Sequence, residues 1–219
     1  MRKGKLITLE GPDTAGKTTL VKSLKSILSI IYPNEVFLFT REPGNLLSEK
    51  NNKSESIRKK LLSDTSLSPE EQAKLFAESR YYHTVNIIKE LNKGNHVITD
   101  RYLFSSIIYQ GLDLGFTKIL DINEKSLNLL KENNIDINNI VLQISLETYN
   151  KRMSSKIKDA LEDVDEQIVF DRIMNHNIVA TINDTLGQRL GKIYTINANK
   201  TQSDVVIEAL NHIHKIIYS

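Results

Sequence analysis

The stretch Gly11-Pro12-Asp13-Thr14-Ala15-Gly16-Lys17-Thr18 decides how the rest of this chain is interpreted. It fits the phosphate-binding P-loop pattern, in which a glycine and four further residues precede Gly-Lys-Ser/Thr. An apolar strand candidate, Leu6 to Leu9, comes before it, and apolar residues at helical spacing follow from Leu20 to Ile31. A strand, a glycine-bearing turn and a helix N-terminus place several backbone N–H groups around one anion. The stretch therefore predicts a site for nucleotide phosphates.

Composition places the chain among ordinary globular proteins. It has 219 residues, of which 40% are hydrophobic and 26% charged, with a formal net charge of +2 and no cysteine. This length predicts a single domain spanning residues 1–219. The small net charge gives no reason to expect a nucleic-acid or membrane partner, and the absence of cysteine suits a reducing compartment. We expect a cytoplasmic protein.

Strand candidates alternate with helical patterns along the whole chain. Alternation of this kind indicates βαβ crossovers and a parallel sheet with helices on both faces. Together with the P-loop it predicts the three-layer α/β fold of P-loop NTPases, with five strands. We place the strands at residues 5–9, 35–40, 96–99, 140–146 and 192–196.

Polar residues stand where three of these strands end. Glu10, Arg41 and Asp100 lie at or just past the carboxyl ends of their strands, where open α/β sheets bind ligands. Asp100 closes an apolar strand in the manner of a Walker B acid and is a candidate Mg²⁺ ligand. Arg41 and the neighbouring Arg101 suit bidentate capture of phosphate oxygens. These residues predict phosphoryl transfer, which depends on positioning and positive charge.

A helix with an N-cap at Ser68 is predicted to run to about Lys93, and it carries Phe76 and Arg80 four residues apart. The two side chains therefore share a face. A ring beside a planar donor can stack on a base and read its edge. The alternative is core packing for Phe76 and a salt bridge for Arg80, and spacing alone favours that alternative.

The segment from 147 to 168 mixes charges of both signs with little apolar periodicity. It is either a mobile lid over the nucleotide or a plain surface helix, and the sequence does not separate the two.

Four blocks give the chain a closer resemblance. They are the P-loop with Glu10 and Thr19 at its ends, Arg41 to Gly44 (REPG), Leu75 to Arg80 (LFAESR), and Asp100 to Tyr102 (DRY) with the following residues up to Gly111. In this combination the chain resembles the thymidylate kinases. The resemblance implies a homodimeric enzyme that transfers the γ-phosphate of ATP to dTMP with Mg²⁺, giving dTDP.

The resemblance also implies roles for single residues. The loop from Gly11 to Thr19, with Arg152, would bind ATP, while Lys17 would act on its phosphates and Thr18 and Asp100 would hold Mg²⁺. Residues 197–201 would lie near adenine.

On the acceptor side, Asp13 would accept a hydrogen bond from the sugar 3′-OH of dTMP. Arg41 and Arg101 would hold its phosphate, with Arg101 near the transferring group. Tyr109 would crowd C2′ of the sugar. For the base, Phe76 would stack on thymine, Arg80 would donate to O4, and Ser106 would lie close by.

Two departures from the family pattern stand out. The P-loop position that often carries a catalytic arginine is Thr14, which leaves Lys156, Lys158 or Arg152 to supply that charge. After Gly44 a polar run to Ser56 is longer than usual; it either reshapes the monophosphate pocket or extends a surface loop.

Other functions stay open at this point. One is a kinase for another deoxynucleotide or for a deoxynucleoside, although Arg41 argues against a neutral acceptor. A P-loop regulator without catalysis is another. A GTP-binding switch is disfavoured, because Gln202 stands where the acid that reads guanine belongs.

Overall fold

The structure, a computed structural model, describes residues 2–47, 52–157, 166–181 and 189–219. Its strands form a five-stranded sheet in the order β2-β3-β1-β4-β5, and every neighbouring pair is parallel. The predicted α/β architecture is confirmed. The strands are β1 (Leu6–Glu10), β2 (Phe37–Arg41), β3 (His96–Asp100), β4 (Ile137–Gln143) and β5 (Lys192–Asn197).

Helices link the strands and cover both faces of the sheet. Within the described residues, no helix is long and apolar enough to span a bilayer. The helices are α1 (Lys17–Ile31), α2 (Lys53–Ser63), α3 (Pro69–Asn92), α4 (Leu103–Leu114), α5 (Phe116–Ile122), α6 (Glu124–Glu132), α7 (Leu146–Ile157), α8 (Glu166–Thr181) and α9 (Gln202–Ile217).

Two hydrophobic clusters sandwich the sheet. Ile7 on β1 packs into the first cluster, which also holds the buried faces of α1 and α9. Its neighbour Leu6 points into the second cluster, which is filled mainly from α3, α4 and α5. Because side chains alternate across a strand, both faces of β1 are apolar, as a central parallel strand requires.

The fourth strand begins three residues earlier than predicted, and the reason is a pair of buried asparagines. The amide Nδ2 of Asn138 donates to the carbonyl of Leu6 at 3.0 Å. Asn139 accepts from the Thr8 hydroxyl at 2.9 Å and donates to the Leu190 carbonyl at 2.8 Å. Asparagines indicate turns when only the sequence is known, but these two side chains bond to neighbouring backbone and strand residues.

Helix α3 follows its sequence signals closely. Ser68 accepts from the Glu71 N–H, Glu71 bonds back to the Ser68 N–H, and the helix stops before Gly94, whose φ is +92°. This reciprocal cap satisfies two N–H groups that a helix end leaves without partners. The predicted lid is different: α7 occupies its first part, residues 158–165 lie outside the described residues, and mobility stays a prediction.

Candidate active site

The P-loop curves around the ammonium group of Lys17. Gly11 and Gly16 have φ values of +143° and +99°, and a Cβ at position 11 would come within 2.7 Å of the Leu142 carbonyl. Only glycine fits there without strain. Lys17 Nζ donates to the carbonyls of Gly11 and Pro12, both at 2.8 Å. The lysine is therefore fixed in the concave side of the loop, where α1 begins.

Burial lowers the pKa of Lys17 to about 8, and the nearby charge of Arg101 acts in the same direction. Asp100, Asp13 and Glu10 oppose the change. A buried ammonium is destabilised until it meets an anion. The site is thus set to receive negative charge such as a polyphosphate.

A cleft of about 530 Å³ opens above this loop. Its walls include the whole first turn of α1, both residues Asp100 and Arg101, and Lys200 after β5. Arg152 of α7 spans the cleft, donating to the carbonyl of Thr14 at 3.1 Å and to that of Ala198 at 2.7 Å. The cleft therefore joins the phosphate loop to the β5–α9 connection, the region expected to lie near adenine.

Asp100 and Thr18 line the same cleft. Within the described residues, Oδ1 of Asp100 is buried and has no hydrogen-bond partner. A carboxylate oxygen without a described partner and a threonine hydroxyl in one cleft suit a hard divalent cation that also takes phosphate oxygens and waters. The residues present thus fit the Mg²⁺ that the sequence predicted.

Arg101 connects the cleft to Asp13 and Tyr109, two residues predicted to bind the acceptor. It adopts φ +68°, and its Nη2 donates to Asp13 Oδ1 at 2.6 Å and to the Tyr109 hydroxyl at 3.3 Å. Its Nη1 donates to Ser105 Oγ at 3.1 Å. A non-glycine residue in the left-handed region is costly and clusters at functional sites. This backbone conformation at the end of β3 directs the Arg101 guanidinium toward the P-loop.

Glu10 holds the turn that follows β3 in place. Its carboxylate is fully buried and accepts from the Tyr102 N–H at 2.7 Å and from the Ser105 hydroxyl at 2.6 Å. Burial raises the pKa of Glu10 to about 7, against the lowering effect of the Ser105 hydrogen bond and of the Arg101 charge. Glu10 therefore positions Arg101 through its neighbours.

Arg41 shares a counter-ion with a second arginine. Glu55 Oε1 lies 3.2 Å from Arg41 Nη2 and 3.3 Å from Arg58 Nη1. Glu55 and Arg58 belong to α2, whose side chains close over Gly44. Arg58 is half-buried, so this pair is not a fully solvated surface contact.

The polar run after Gly44 is likewise not a plain surface loop. Asn52 caps α2 by accepting from the Glu55 N–H, and the Ser54 hydroxyl is buried against the Ser79 carbonyl at 2.7 Å. Residues 48–51 lie outside the described residues. From residue 52 onward the run forms the start of a helix that packs on α3.

Arg80 lies in a buried polar network. It is only 2% exposed, and its Nε donates to Glu42 Oε2 at 2.8 Å. The other carboxylate oxygen of Glu42 bonds His83 Nδ1 at 3.0 Å, and His83 Nε2 contacts the Thr40 hydroxyl at 2.9 Å. The salt bridge favoured by spacing is present. It ties the strand end after β2 to α3.

The remaining donors of Arg80 are nearly all used. Nη1 donates to Asn123 Oδ1, and Nη2 donates to the Tyr102 carbonyl at 3.3 Å and to Ser106 Oγ at 2.8 Å. An arginine has five N–H donors, so one Nη1 N–H remains without a partner in this set. Arg80 and Ser106, both predicted at the base, therefore lie in direct contact.

Phe76 stands one turn before Arg80. It is half-buried and is not among the side chains of the two described core clusters. Core packing, the alternative favoured by spacing, is therefore not supported by the described clusters, and stacking on a base stays a prediction.

The structure brings together on one rim most of the residues predicted for donor and acceptor. Lys158 lies outside the described residues, and for Lys156 only the helical backbone is described. Sequence reasoning missed Glu55 and Asn123. Glu55 was hidden in a polar run, and Asn123, between α5 and α6, is distant in sequence from Arg80 and meets it only in the fold.

Comparisons with known proteins agree with this geometry. The sequence profile of a family described as thymidylate kinase matches residues 9–208. Curated thymidylate kinases are similar: one from Mycoplasma mobile is 33% identical over 96% of this chain and 98% of its own length, and one from Oenococcus oeni is 30% identical over 98% and 97%.

A thymidylate kinase from Mycoplasma genitalium is 36% identical over 73% of this chain and 74% of its own length. A crystal structure of thymidylate kinase from Ehrlichia chaffeensis shares the fold, with a TM-score of 0.67 and 24% identity over 96% of this chain and 99% of that one. The chain belongs to the thymidylate kinase family.

Proposed function

We propose that this protein transfers the γ-phosphoryl group of ATP to the phosphate of dTMP, giving ADP and dTDP. The observation that carries the proposal is the position of Arg101, which touches the P-loop carbonyl of Gly11 at 3.3 Å and the predicted sugar ligand Asp13 at 2.6 Å. One guanidinium thus spans the donor and acceptor sides. In-line transfer needs such positioning more than covalent chemistry.

The donor is bound by the loop from Gly11 to Thr19 and by Arg152. Thr18 and Asp100 would hold a divalent cation, Mg²⁺, together with the nucleotide phosphates, and the cation would supply charge neutralisation during transfer. Lys17 stabilises the same oxygens. Lys156 and Lys158 remain predicted contributors of positive charge.

On the acceptor side, Arg41 and Arg101 hold the phosphate of dTMP, with Asp13 on the 3′-OH and Tyr109 against C2′. Phe76 stacks on thymine, and the free Nη1 N–H of Arg80, beside Ser106, donates to O4. A donor-only site accepts the O4 oxygen of thymine and rejects the amino group of cytosine. A homodimer, expected from the family, is part of the proposal.

A coupled assay of ADP release tests the function. Mg²⁺-ATP is offered with dTMP, dUMP, dCMP or thymidine, and we expect the highest kcat/KM with dTMP and no turnover with thymidine. Equal or better use of thymidine would overturn the assignment. Binding of ATP without ADP release on any acceptor would indicate a regulator.

A further inference from the structure

Thr14 has a backbone conformation that its residue type disfavours. Its φ is +63°, and the Ala15 N–H donates to the Pro12 carbonyl at 3.3 Å, which closes a turn with Thr14 at the third position. A positive φ at that position favours glycine or asparagine. In a β-branched residue it is strained. The loop therefore carries a threonine at a place where glycine would fit more easily.

The other non-glycine residues with positive φ have evident explanations. Within the described ranges they are Arg101 and Asn134. Asn134 follows the C-terminal end of α6, where asparagine commonly ends a helix in this conformation. Arg101 uses its conformation to reach Asp13. Turn chemistry does not explain Thr14, and backbone strain of this kind clusters at functional sites.

The side-chain hydroxyl of Thr14 provides a second, independent observation. Its Oγ1 is buried and has no hydrogen-bond partner among the described residues. Of the described side-chain atoms that line the cleft, Oδ1 of Asp100 is the other one that is buried without a partner. A buried polar group without a partner is costly. The cleft thus contains one carboxylate oxygen and one hydroxyl for which a bound ligand would supply the missing partner.

The charges around Thr14 indicate which kind of ligand meets its hydroxyl. Lys17 and Arg101 line the same cleft, and Arg152 donates to the Thr14 carbonyl at 3.1 Å. Three cations beside one loop attract an anion, and toward an anion a hydroxyl acts as the donor. Because Thr14 lines the cleft, rotation about its χ1 brings the hydroxyl to a ligand oxygen. Arg152 meanwhile holds the backbone of this residue in place.

The place of Thr14 within the loop favours the terminal phosphoryl group of the donor. Its neighbour Asp13 pairs with Arg101 at 2.6 Å, and Arg101 also contacts Tyr109. All three are predicted to bind the acceptor. Lys17 stands at the other end of the loop, at the start of α1. In an in-line transfer the γ-phosphoryl group points toward the acceptor, so it lies at the end of the loop that carries Thr14.

We infer that the Thr14 hydroxyl donates a hydrogen bond to an oxygen of the γ-phosphoryl group during transfer. An oxygen of the dTMP phosphate forms a bond to the γ-phosphorus, while the bond to the β,γ-bridging oxygen breaks and ADP departs with the electron pair. The hydroxyl keeps its proton and stabilises the negative charge on the transferring oxygens. Thr14 is then a catalytic residue, and the inference rests on the proposed function.

Steady-state kinetics of the full chain with Mg²⁺-ATP and dTMP test the inference. Thr14→Val keeps the β-branched shape but loses the hydroxyl, so we expect kcat to fall about 10- to 100-fold, with the KM values for ATP and dTMP within about threefold of the parent. Thr14→Ser keeps the hydroxyl, and we expect its kcat within about threefold of the parent. The control is Thr117→Val, since Thr117 is an exposed residue of α5 that does not line the cleft.

Thr14→Gly separates the hydroxyl from the backbone strain. Glycine adopts a positive φ without strain, so we expect a Tm no lower than that of the parent, while kcat falls as it does in Thr14→Val. Calorimetric titration adds a binding measurement on the Val variant. Its affinity for ADP should match the parent, whereas its affinity for dTMP together with ADP and aluminium fluoride should weaken with kcat, because only the latter complex resembles the transition state.

A parent-like kcat in either Thr14→Val or Thr14→Gly would overturn the inference. So would a Thr14→Ser variant as slow as Thr14→Val, because the hydroxyl would then be irrelevant to the rate. If the parent itself does not turn over dTMP, the proposed function fails, and the inference fails with it.

Discussion

The donor cleft and the acceptor wall are built in opposite ways. In the cleft the shape comes from the backbone, through glycine conformations, the first turn of α1 and the strand ends. The buried Lys17 donates to carbonyls, and Asp100 Oδ1 has no partner among the described residues. In the wall the shape comes from side chains, where Arg80, Glu42 and His83 form a buried and almost saturated network.

The difference teaches what each region is for. The charged groups of the cleft are positioned to bind phosphates and a cation. We therefore expect them to contribute to ligand binding more than to folding. In the proposed function the wall holds Arg80 rigidly so that a single N–H meets the base, and a partly satisfied buried network would be costly. We therefore expect substitutions in the cleft to remove activity and substitutions in the wall to remove stability as well.

The largest expected effect is at Lys17. Lys17→Met removes the ammonium from the phosphate site, and we predict a fall in kcat/KM for ATP of about 10³-fold. Because the hydrogen bonds of Lys17 Nζ among the described residues go to backbone carbonyls and none to a carboxylate, Tm should stay within about 2 °C of the parent. Lys192→Met, at an exposed pair with Asp136, is the control. A Tm loss as severe as the loss of activity would erase the contrast between the two regions.

Glu42→Gln tests the wall. It leaves the guanidinium of Arg80 buried without its carboxylate, which we expect to reduce the free energy of unfolding by about 3 to 5 kcal/mol. Urea-induced unfolding measures this change. Glu70→Gln, which removes a carboxylate from the exposed pairs with Lys74 and Lys118, should hardly move the midpoint. Equal midpoints for the two variants would contradict a structural role for the network.

Asn123→Ala sharpens the account of base recognition. Asn123 bonds the same nitrogen of Arg80 that carries the free N–H, so its removal should lower kcat/KM for dTMP by about 10- to 100-fold and narrow the preference over dCMP. Asn133→Ala is a matched control, because both asparagines donate to the carbonyl four residues earlier at 2.8 Å. If the ratio of kcat/KM for dTMP to kcat/KM for dCMP is unchanged, Asn123 does not contribute to base specificity.

The smallest effect is a pH dependence of ATP capture. Burial first, and then the Arg101 charge, lowers the pKa of Lys17 to about 8. The protonated form binds phosphate, so kcat/KM for ATP should fall about tenfold per pH unit above that value. Bound phosphates raise the pKa again, and kcat at saturating ATP should stay flatter. A profile of kcat/KM for ATP that is level up to pH 10 would show that Lys17 does not titrate there.

The sequence was most informative where local signals and function coincide. The P-loop, the Ser68 cap and the strand ends at Arg41 and Asp100 follow from turn chemistry, capping and apolar runs. The predicted start of β4 was wrong because the side chains of Asn138 and Asn139 form hydrogen bonds with residues distant in sequence. Such long-range bonds cannot be predicted from local sequence. Glu55 and Asn123 matter only through partners brought near by the fold, so no spacing along the chain could indicate them.

The central claim is that a donor site and an acceptor site face each other across one cleft, bridged by Arg101. Calorimetric titration with a molecule that joins adenosine to thymidine through a polyphosphate chain tests it directly. We predict one molecule bound per chain, tighter than ATP or dTMP alone, and displaced by either ligand. Displacement by ATP only, with dTMP still able to bind alongside, would contradict the claim.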